Sequence, residues 1–393
     1  MKYNFDEVID RAHEAGSYSS KWSNNDHMKA MFQTDEVPED RLCFFLADMD
    51  FRCAPAIIDA VKTVANHGIF GYSATPAEYF NAVCRWMNDR FGMNVKPEQI
   101  RCAHGAHSAV IEAIAKLTKP GEGIIVPQPT YYYRGDVAHD NRYYVGFQMK
   151  NDNGYYTWDW EAFEKHCKEP QNTAVILQQP HNPTGRIWTE EEIKKIAEIC
   201  RANNVLMICD DVHMDFKRKE NKVVPFINVV GPEGIVMITG LGKTFNLAGL
   251  SITNVIIQDE KLLEKWGQSR SMLSPFSTAA CIAAYTQSDE WVDALNEYLD
   301  ECVEYVVDRI HNELPKVKVH KPEGTYILWM DFTDLGLTSE ELTKKIAGEA
   351  HISMSDGAGM EPPEGTIFRR WCCTAPKSVL KEGIDRLVKV LGE

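Results

Sequence analysis

Along most of the chain, short uninterrupted apolar runs alternate with longer stretches in which apolar side chains return every three or four positions. Gly123-Ile-Ile-Val-Pro127, Thr173-Ala-Val-Ile-Leu-Gln178 and Val205-Leu-Met-Ile-Cys209 have the length and content of buried strands. Between the last two lies Thr189-Glu-Glu-Glu-Ile-Lys-Lys-Ile-Ala-Glu-Ile-Cys200. There Thr189 predicts an N-cap, Glu192 closes a capping box, and Ile193, Ile196, Ala197 and Cys200 form one buried stripe. Strand, helix and strand over 173–209 make a βαβ unit with a right-handed crossover expected. The same alternation from Leu42 to about Tyr285 predicts an α/β fold, a mostly parallel central sheet with helices on both faces.

The texture changes after Glu290. Trp291, Leu295, Tyr298, Cys302, Tyr305 and Ile310 predict a long amphipathic helix. A strand over 325–331 and helical segments over 339–348 and 378–391 follow. The expected division is an N-terminal arm with a short helix over 1–45 that joins the small domain, a large domain over 46–285, and a smaller α+β domain over 286–393.

Three polar groups stand where apolar strands end. The run Val236-Met-Ile-Thr-Gly-Leu-Gly-Lys243 delivers a lysine into a small-residue turn. Pro180-His-Asn-Pro-Thr-Gly-Arg186 places Asn182 in a stiff turn, and Cys209-Asp-Asp-Val-His213 places Asp210 directly after a strand. Singly, each reads as a solvated lysine, a turn former and a cap. Together an amine, an amide and a carboxylate at successive strand ends are what pyridoxal 5'-phosphate needs. A carboxylate opposite the pyridine nitrogen keeps it protonated, and an amide faces the phenolic oxygen. His213, three residues past Asp210, is close enough to face the same ring. Gly105, Ala106 and His107 open a helix whose stripe is Val110, Ala113, Ile114 and Leu117, and free N–H groups there make an anion seat. Tyr131 follows the next strand and could stack on a planar ring. Arg369 and Arg370 offer bidentate carboxylate binding.

Length and charge narrow the class. With 393 residues the chain has room for two domains and a sizeable core. A formal net charge of −15 makes nucleic acid and anionic membrane poor partners. Eleven cysteines without framework or metal-ligand spacing read as reduced thiols in a cytoplasmic enzyme, and no metal site is expected. No apolar leader or membrane-length run is present.

The order and spacing of Leu46-Ala-Asp-Met-Asp-Phe51, Gly68-Ile-Phe-Gly-Tyr72, Pro180-His-Asn-Pro-Thr-Gly-Arg186, Asp210-Asp-Val-His213, Lys243-Thr-Phe-Asn-Leu-Ala-Gly-Leu250 and Gly324-Thr-Tyr-Ile-Leu-Trp329 carry a resemblance that runs nearly end to end. The chain resembles fold-type I pyridoxal-phosphate enzymes of the class I/II aminotransferase superfamily, and within them the cystathionine β-lyase (C–S lyase) subfamily. The resemblance implies that Lys243 is the Schiff-base and catalytic lysine, Asp210 the ring-nitrogen partner, Asn182 the phenolic-oxygen partner and Tyr131 the stacking aromatic. It implies cofactor contacts for Gly105, Ala106, His107, His213 and Thr239, and substrate contacts for Arg370, Asp48 and Asn182. It also implies a homodimer in which Tyr72 reaches the neighbouring subunit's phosphate. Gly240 and Gly242 stand where the subfamily often has serines, and Cys372 where it often has Asn. His213 and Ser251 replace the Tyr and Arg of many aminotransferases. The implied activity is cleavage of the Cβ–S bond of cystathionine or another S-substituted cysteine to a thiol, pyruvate and ammonia. The alternatives are an aminotransferase using the same residues and a cofactor-binding regulatory module. The latter is disfavoured by the acidic charge and by about forty residues before Leu42, too few for a DNA-binding domain and linker.

Overall fold

The computed structural model describes residues 2–23, 26–34, 36–268 and 272–392. The outer ends of the expected spans 1–45 and 286–393, Met1 and Glu393, therefore lie outside the described residues.

Seven strands form the central sheet: β1 (Ile100–Ala103), β2 (Gly123–Gln128), β3 (Tyr143–Gln148), β4 (Asn172–Leu177), β5 (Leu206–Asp210), β6 (Ile235–Gly240) and β7 (Thr253–Ile256). Their order is β1-β7-β6-β5-β4-β2-β3. Neighbours from β3 to β6 pair in parallel, and β7 runs antiparallel to both β6 and β1. This is the mostly parallel sheet that the alternating pattern predicts, with one reversed strand that the pattern does not reveal.

Side-chain alternation along the strands separates two cores. Ile124, Val126, Ala174, Ile176, Val236 and Ile238 pack with Val110, Ala113 and Ile114 of the helix Ala106–Leu117. Ile125, Val175, Met207, Ile235 and Met237 face the other way, toward Ile193 and Ile196 of the helix Glu190–Ala202 and toward Ala280 and Tyr285. Helices therefore cover both faces, which is why these strands are apolar throughout. Each fully buried Ile or Val contributes about 1.5–3 kcal/mol. The predicted cap is present: Glu192 N–H donates to Thr189 Oγ1 at 3.1 Å, and Thr189 N–H to the Glu192 carboxylate at 2.9 Å.

A second, antiparallel sheet takes the order Lys318–Val319, Ile327–Asp331, Phe368–Cys372, Ser355–Asp356. It packs with the 25-residue helix Asp289–Glu313 and the helix Lys377–Leu391. The expected helix over 339–348 is a short α-helix, Ser339–Thr343, followed by a wider π-type turn, Lys344–Glu349. Near the N-terminus, Asp26–Phe32 is the short helix, and Leu42–Cys43 pairs in parallel with Ile352–Ser353. Among the described residues no helix is long and apolar enough to cross a membrane.

Candidate active site

The carboxyl ends of β1, β2, β4, β5 and β6 meet at one cavity, the usual position for a ligand in an open α/β sheet. Its wall includes Gly105, Ala106 and His107 after β1, Tyr131 after β2, Gln178 and Asn182 after β4, Asp210 and His213 from β5 and its turn, and Lys243 after β6. Ser251 and Thr253, before and on β7, complete one side.

Asp210 is 6 % exposed. Its Oδ2 accepts from the Tyr133 hydroxyl at 2.6 Å, while its Oδ1 is buried with no partner. Burial raises the carboxyl's pKa, although Tyr133's donation, His107, the Val212 backbone N–H and Lys243 oppose it. Tyr133 in turn accepts from Gln178 Nε2 at 2.9 Å. His213 is buried and lines the same wall with both ring nitrogens unpartnered. Burial first, then Lys243 and Arg370, holds its pKa well below the usual histidine range, so the ring is neutral.

Lys243 lies in a short helical turn, Leu241–Thr244, and its Nζ donates to the Ala47 carbonyl at 3.1 Å. Burial and Arg370 lower its pKa, against the opposing pull of Cys372, Asp48 and Asp210. The glycine three residues before it has a steric reason: a Cβ on Gly240 would lie 2.8 Å from the Ile252 carbonyl oxygen and 3.2 Å from Thr253 Oγ1. A serine at 240 would need backbone movement. At Gly242 a Cβ would make only ordinary contact, 3.4 Å from Ala248 Cα.

Strand alternation separates the two arginines. Arg369 turns to Asp356, Ser339 and Thr343. Arg370 turns to the site, where Nη1 donates to Asn182 Oδ1 at 3.4 Å, Nη2 donates to the Phe45 carbonyl at 3.1 Å, and Nε is buried without a partner. Its guanidinium is 5.6 Å from the Tyr131 ring centre.

Gly105, with φ +95°, is the N-cap of Ala106–Leu117 and aims the helix start at the cavity. The His107 ring bonds to the Asp136 carboxylate, which raises its pKa against burial.

Four expected site residues lie off the wall: Arg370, which reaches it only through Asn182, and Thr239, Asp48 and Tyr72. Thr239 is buried with its hydroxyl on Met214 Sδ at 3.5 Å, because alternation along β6 turns it to the opposite sheet face from the cavity. Asp48 spends its carboxylate on Arg11, at 2.7 Å from Oδ2, and on Lys21, at 3.6 Å from Oδ1. Tyr72 is 99 % exposed and contributes nothing to its own chain's cavity. Conversely, Tyr133, Gln178 and the Ala47 carbonyl were not legible. Three consecutive tyrosines offered no basis for preferring Tyr133, and a carbonyl leaves no mark in a sequence.

Residues 46–387 match the family model for class I and II aminotransferases. The chain is 32% identical to cystathionine beta-lyase PatB of Bacillus subtilis, with 99% of this chain and 100% of PatB covered. Cystalysin of Treponema denticola, which contains a pyridoxal 5'-phosphate cofactor, superposes with a TM-score of 0.92 at 29% identity, covering 100% of this chain and 99% of cystalysin. A pyridoxal phosphate-bound C-S lyase of Staphylococcus hominis superposes with a TM-score of 0.89 at 28% identity over 100% and 98% of the two chains.

Proposed function

Because this chain belongs to the class I and II aminotransferase family, we propose that it is a pyridoxal 5'-phosphate-dependent carbon–sulfur lyase. It cleaves the Cβ–S bond of cystathionine or a related S-substituted cysteine, releasing a thiol, pyruvate and ammonia. The observation that carries the reading is the meeting of Lys243, Asp210 and Asn182 at one cavity, with Arg370 bonded to Asn182 beside it, in a chain that matches C–S lyases over its whole length.

The residues present fit the cofactor. The buried, unpaired Oδ1 of Asp210 is an acceptor in need of a donor, and a protonated ring nitrogen supplies one. The start of Ala106–Leu117 offers free N–H groups and the positive end of a helix dipole to a phosphate. Ser251 and Thr253 bring hydroxyls to the same cavity, a supply the absent side chains of 240 and 242 do not make. Lys243 is the attachment point, Asn182 the amide at the phenolic oxygen, and Tyr131 the stacking ring. When bound, the cofactor supplies an electron sink for the carbanion formed at Cα.

The chain's own groups do the rest. Arg370, with its Nε free, grips the substrate carboxylate. Lys243, whose buried amine is more easily neutral than an exposed one, takes the proton from Cα. Asp210 keeps a positive charge on the ring nitrogen. Neutral His213 brings no competing cation to the ring. The thiolate then leaves Cβ.

The same reading includes a homodimer. Exposed Ile69, Phe70 and Tyr72 adjoin exposed Met272, and Ser73 Oγ ties the two segments by donating to the Leu273 carbonyl at 2.8 Å. Such a patch marks a contact surface. Sedimentation giving only the mass of the 44.6 kDa chain would remove it. Residues 46–285 and 286–393 act as large and small domains, with 1–45 joining the small one. A cytoplasmic location fits eleven free cysteines, ten of them buried.

The deciding assay gives the purified, cofactor-loaded protein cystathionine without a keto acid. A lyase releases pyruvate and free thiol over many turnovers. A protein that stops after about one turnover per site, as a transaminase must without a keto acid to restore its cofactor, belongs to the aminotransferase reading.

A further inference from the structure

Residues 45–51 pass beside the site as a strap with no ladder of their own, and their carbonyl groups meet its cations. Phe45 O accepts from Arg370 Nη2 at 3.1 Å. Ala47 O accepts from Lys243 Nζ at 3.1 Å and from the Tyr326 hydroxyl at 3.0 Å. Asn246, three residues past the lysine, clamps the strap from the other end. Its Oδ1 accepts from Met49 N–H at 2.9 Å, and its Nδ2 donates to Met49 O at 2.8 Å.

What holds the strap is a largely buried charge cluster between its two aspartates and the N-terminal segment. Lys21, 1 % exposed, donates to Asp50 Oδ2 at 3.1 Å and lies 3.6 Å from Asp48 Oδ1. Arg11 bonds both carboxylates and donates to Met49 O at 3.1 Å, and Trp22 Nε1 donates to Asp50 Oδ1 at 2.9 Å. Two cations face two carboxylates, so the cluster is neutral. Burial opposes charge on Lys21 and on Asp48, yet their mutual attraction prevails: Lys21's pKa is raised and Asp48's lowered. A buried loop without a ladder needs partners for its polar groups; the cations for its carboxylates come from more than twenty residues upstream, although Asp48 Oδ1 makes no hydrogen bond.

We infer that Arg11 and Lys21 are positioning residues for proton transfer: by neutralising Asp48 and Asp50 they fix the strap so that the Ala47 carbonyl receives the Lys243 amine in one place. The inference rests on Lys243 as the proton acceptor proposed above. A neutral amine that gives one N–H to Ala47 O has its lone pair turned away from that oxygen. In the transfer the Cα–H bond breaks and an N–H bond forms on Nζ. The electron pair stays with Cα, for which pyridoxal phosphate would supply the sink, and the amine becomes an ammonium. Groups facing the amine are Arg370 and Cys372 on the small-sheet strand, Asp48 on the strap, Asp210 and His213 after β5, and His107 at the helix start.

The test uses the holoenzyme and L-alanine, which has no Cβ leaving group, and follows exchange of its Cα hydrogen in deuterium oxide across pH. This step precedes both elimination and transamination. Absence of exchange in the unmodified enzyme would therefore condemn the proposed function, not the strap. In Lys21→Met, with cofactor content unchanged, the saturating exchange rate should fall about ten- to a hundredfold, the effect of misplacing a reacting group. The acid limb of its pH profile should move to higher pH, because Asp48, relieved of one cation, favours the protonated amine. Neutralising the stranded carboxylate in Lys21→Met/Asp48→Asn should return that limb toward its original position, which a merely structural role would not do. Trp22→Phe, which leaves every ion pair in place, should slow exchange in the same direction by a smaller factor, and it decides the matter if Lys21→Met does not fold. Unchanged rate and profile in a folded Lys21→Met, or in Trp22→Phe when Lys21→Met fails, overturns the inference.

Discussion

Two carboxylates near the site, Asp210 buried and Asp48 half-buried, have opposite fates. At the end of β5, Asp210 has one oxygen bonded to Tyr133 and the other left with nothing, and burial raises its pKa. On the strap, Asp48 sits between Arg11 and Lys21, which pull its pKa down in spite of burial. Asp48 Oδ1 also lacks a hydrogen bond but has the Lys21 charge 3.6 Å away, whereas Asp210 has no ion pair at all among the described residues. An unmet buried charge is a liability for the empty protein and a fixture for a ligand that completes it. Which carboxylate does chemistry is thus read from what each lacks.

The contrast can be tested from the working side first. Lys243→Ala should lower turnover by ~10⁴-fold, the upper range for a positioned acid–base group. Borohydride reduction should no longer attach the cofactor covalently. Labelling of a different lysine in the parent enzyme would move the site elsewhere. Asp210→Asn comes next. It preserves the shape and the acceptor for Tyr133 while removing the charge opposite the ring nitrogen. Turnover should fall by ~10²-fold or more with much of the cofactor retained, and near-normal kcat would refute Asp210's role. On the strap side, Asp48→Asn leaves Lys21 and Arg11 short of one countercharge. It should destabilise the protein by about 3 kcal/mol, the low end for a broken buried pair, measured as a lowered urea midpoint. A neutral result would mean that Asp50 alone balances both cations.

The strand-end wall was largely legible in the sequence, and the strap was not. Apolar runs that stop at Asp210, Asn182 and Lys243 mark strand ends, and an α/β sheet places those ends together. Period-two alternation also explains where sequence reading went astray. Thr239, one residue from Gly240 on β6, faces the opposite side from the cavity. Arg370 and Arg369 part company for the same reason. The strap depends on contacts between residues 11 to 22 and 48 to 50, and on carbonyl acceptors, neither of which has a periodicity. Asp48 could be recognised as a word in a motif, but its neutralisation by Lys21 is a fact of tertiary packing. The reversed β7 is of the same kind, since an apolar run carries no direction.

The smallest effect is the sharpest comparison, because the two aspartates should change stability with opposite sign. In the cofactor-free protein the raised pKa of Asp210 means that folding favours its protonated form. Its contribution is fully present below the unfolded value, ~3.9 for Asp, and is lost as pH rises through the folded pKa. At neutral pH the ionised, half-satisfied carboxylate therefore weakens the empty protein, and Asp210→Asn should stabilise it by on the order of 1 kcal/mol. That gain should shrink as pH falls toward 4. Asp48, with its lowered pKa, contributes stability above ~3.9 that is lost as pH falls through its folded value. The penalty of Asp48→Asn should therefore be greatest at neutral pH and fade in acid. Adding pyridoxal phosphate should raise the Tm of the parent more than that of Asp210→Asn, since only the parent offers the charged acceptor. Thermal unfolding of the three proteins from pH 4 to 8, with and without cofactor, measures all of this. If Asp210→Asn lowers the Tm of the empty protein at pH 7, the unpaired oxygen is not a strain held for a ligand, and the contrast between the two carboxylates fails.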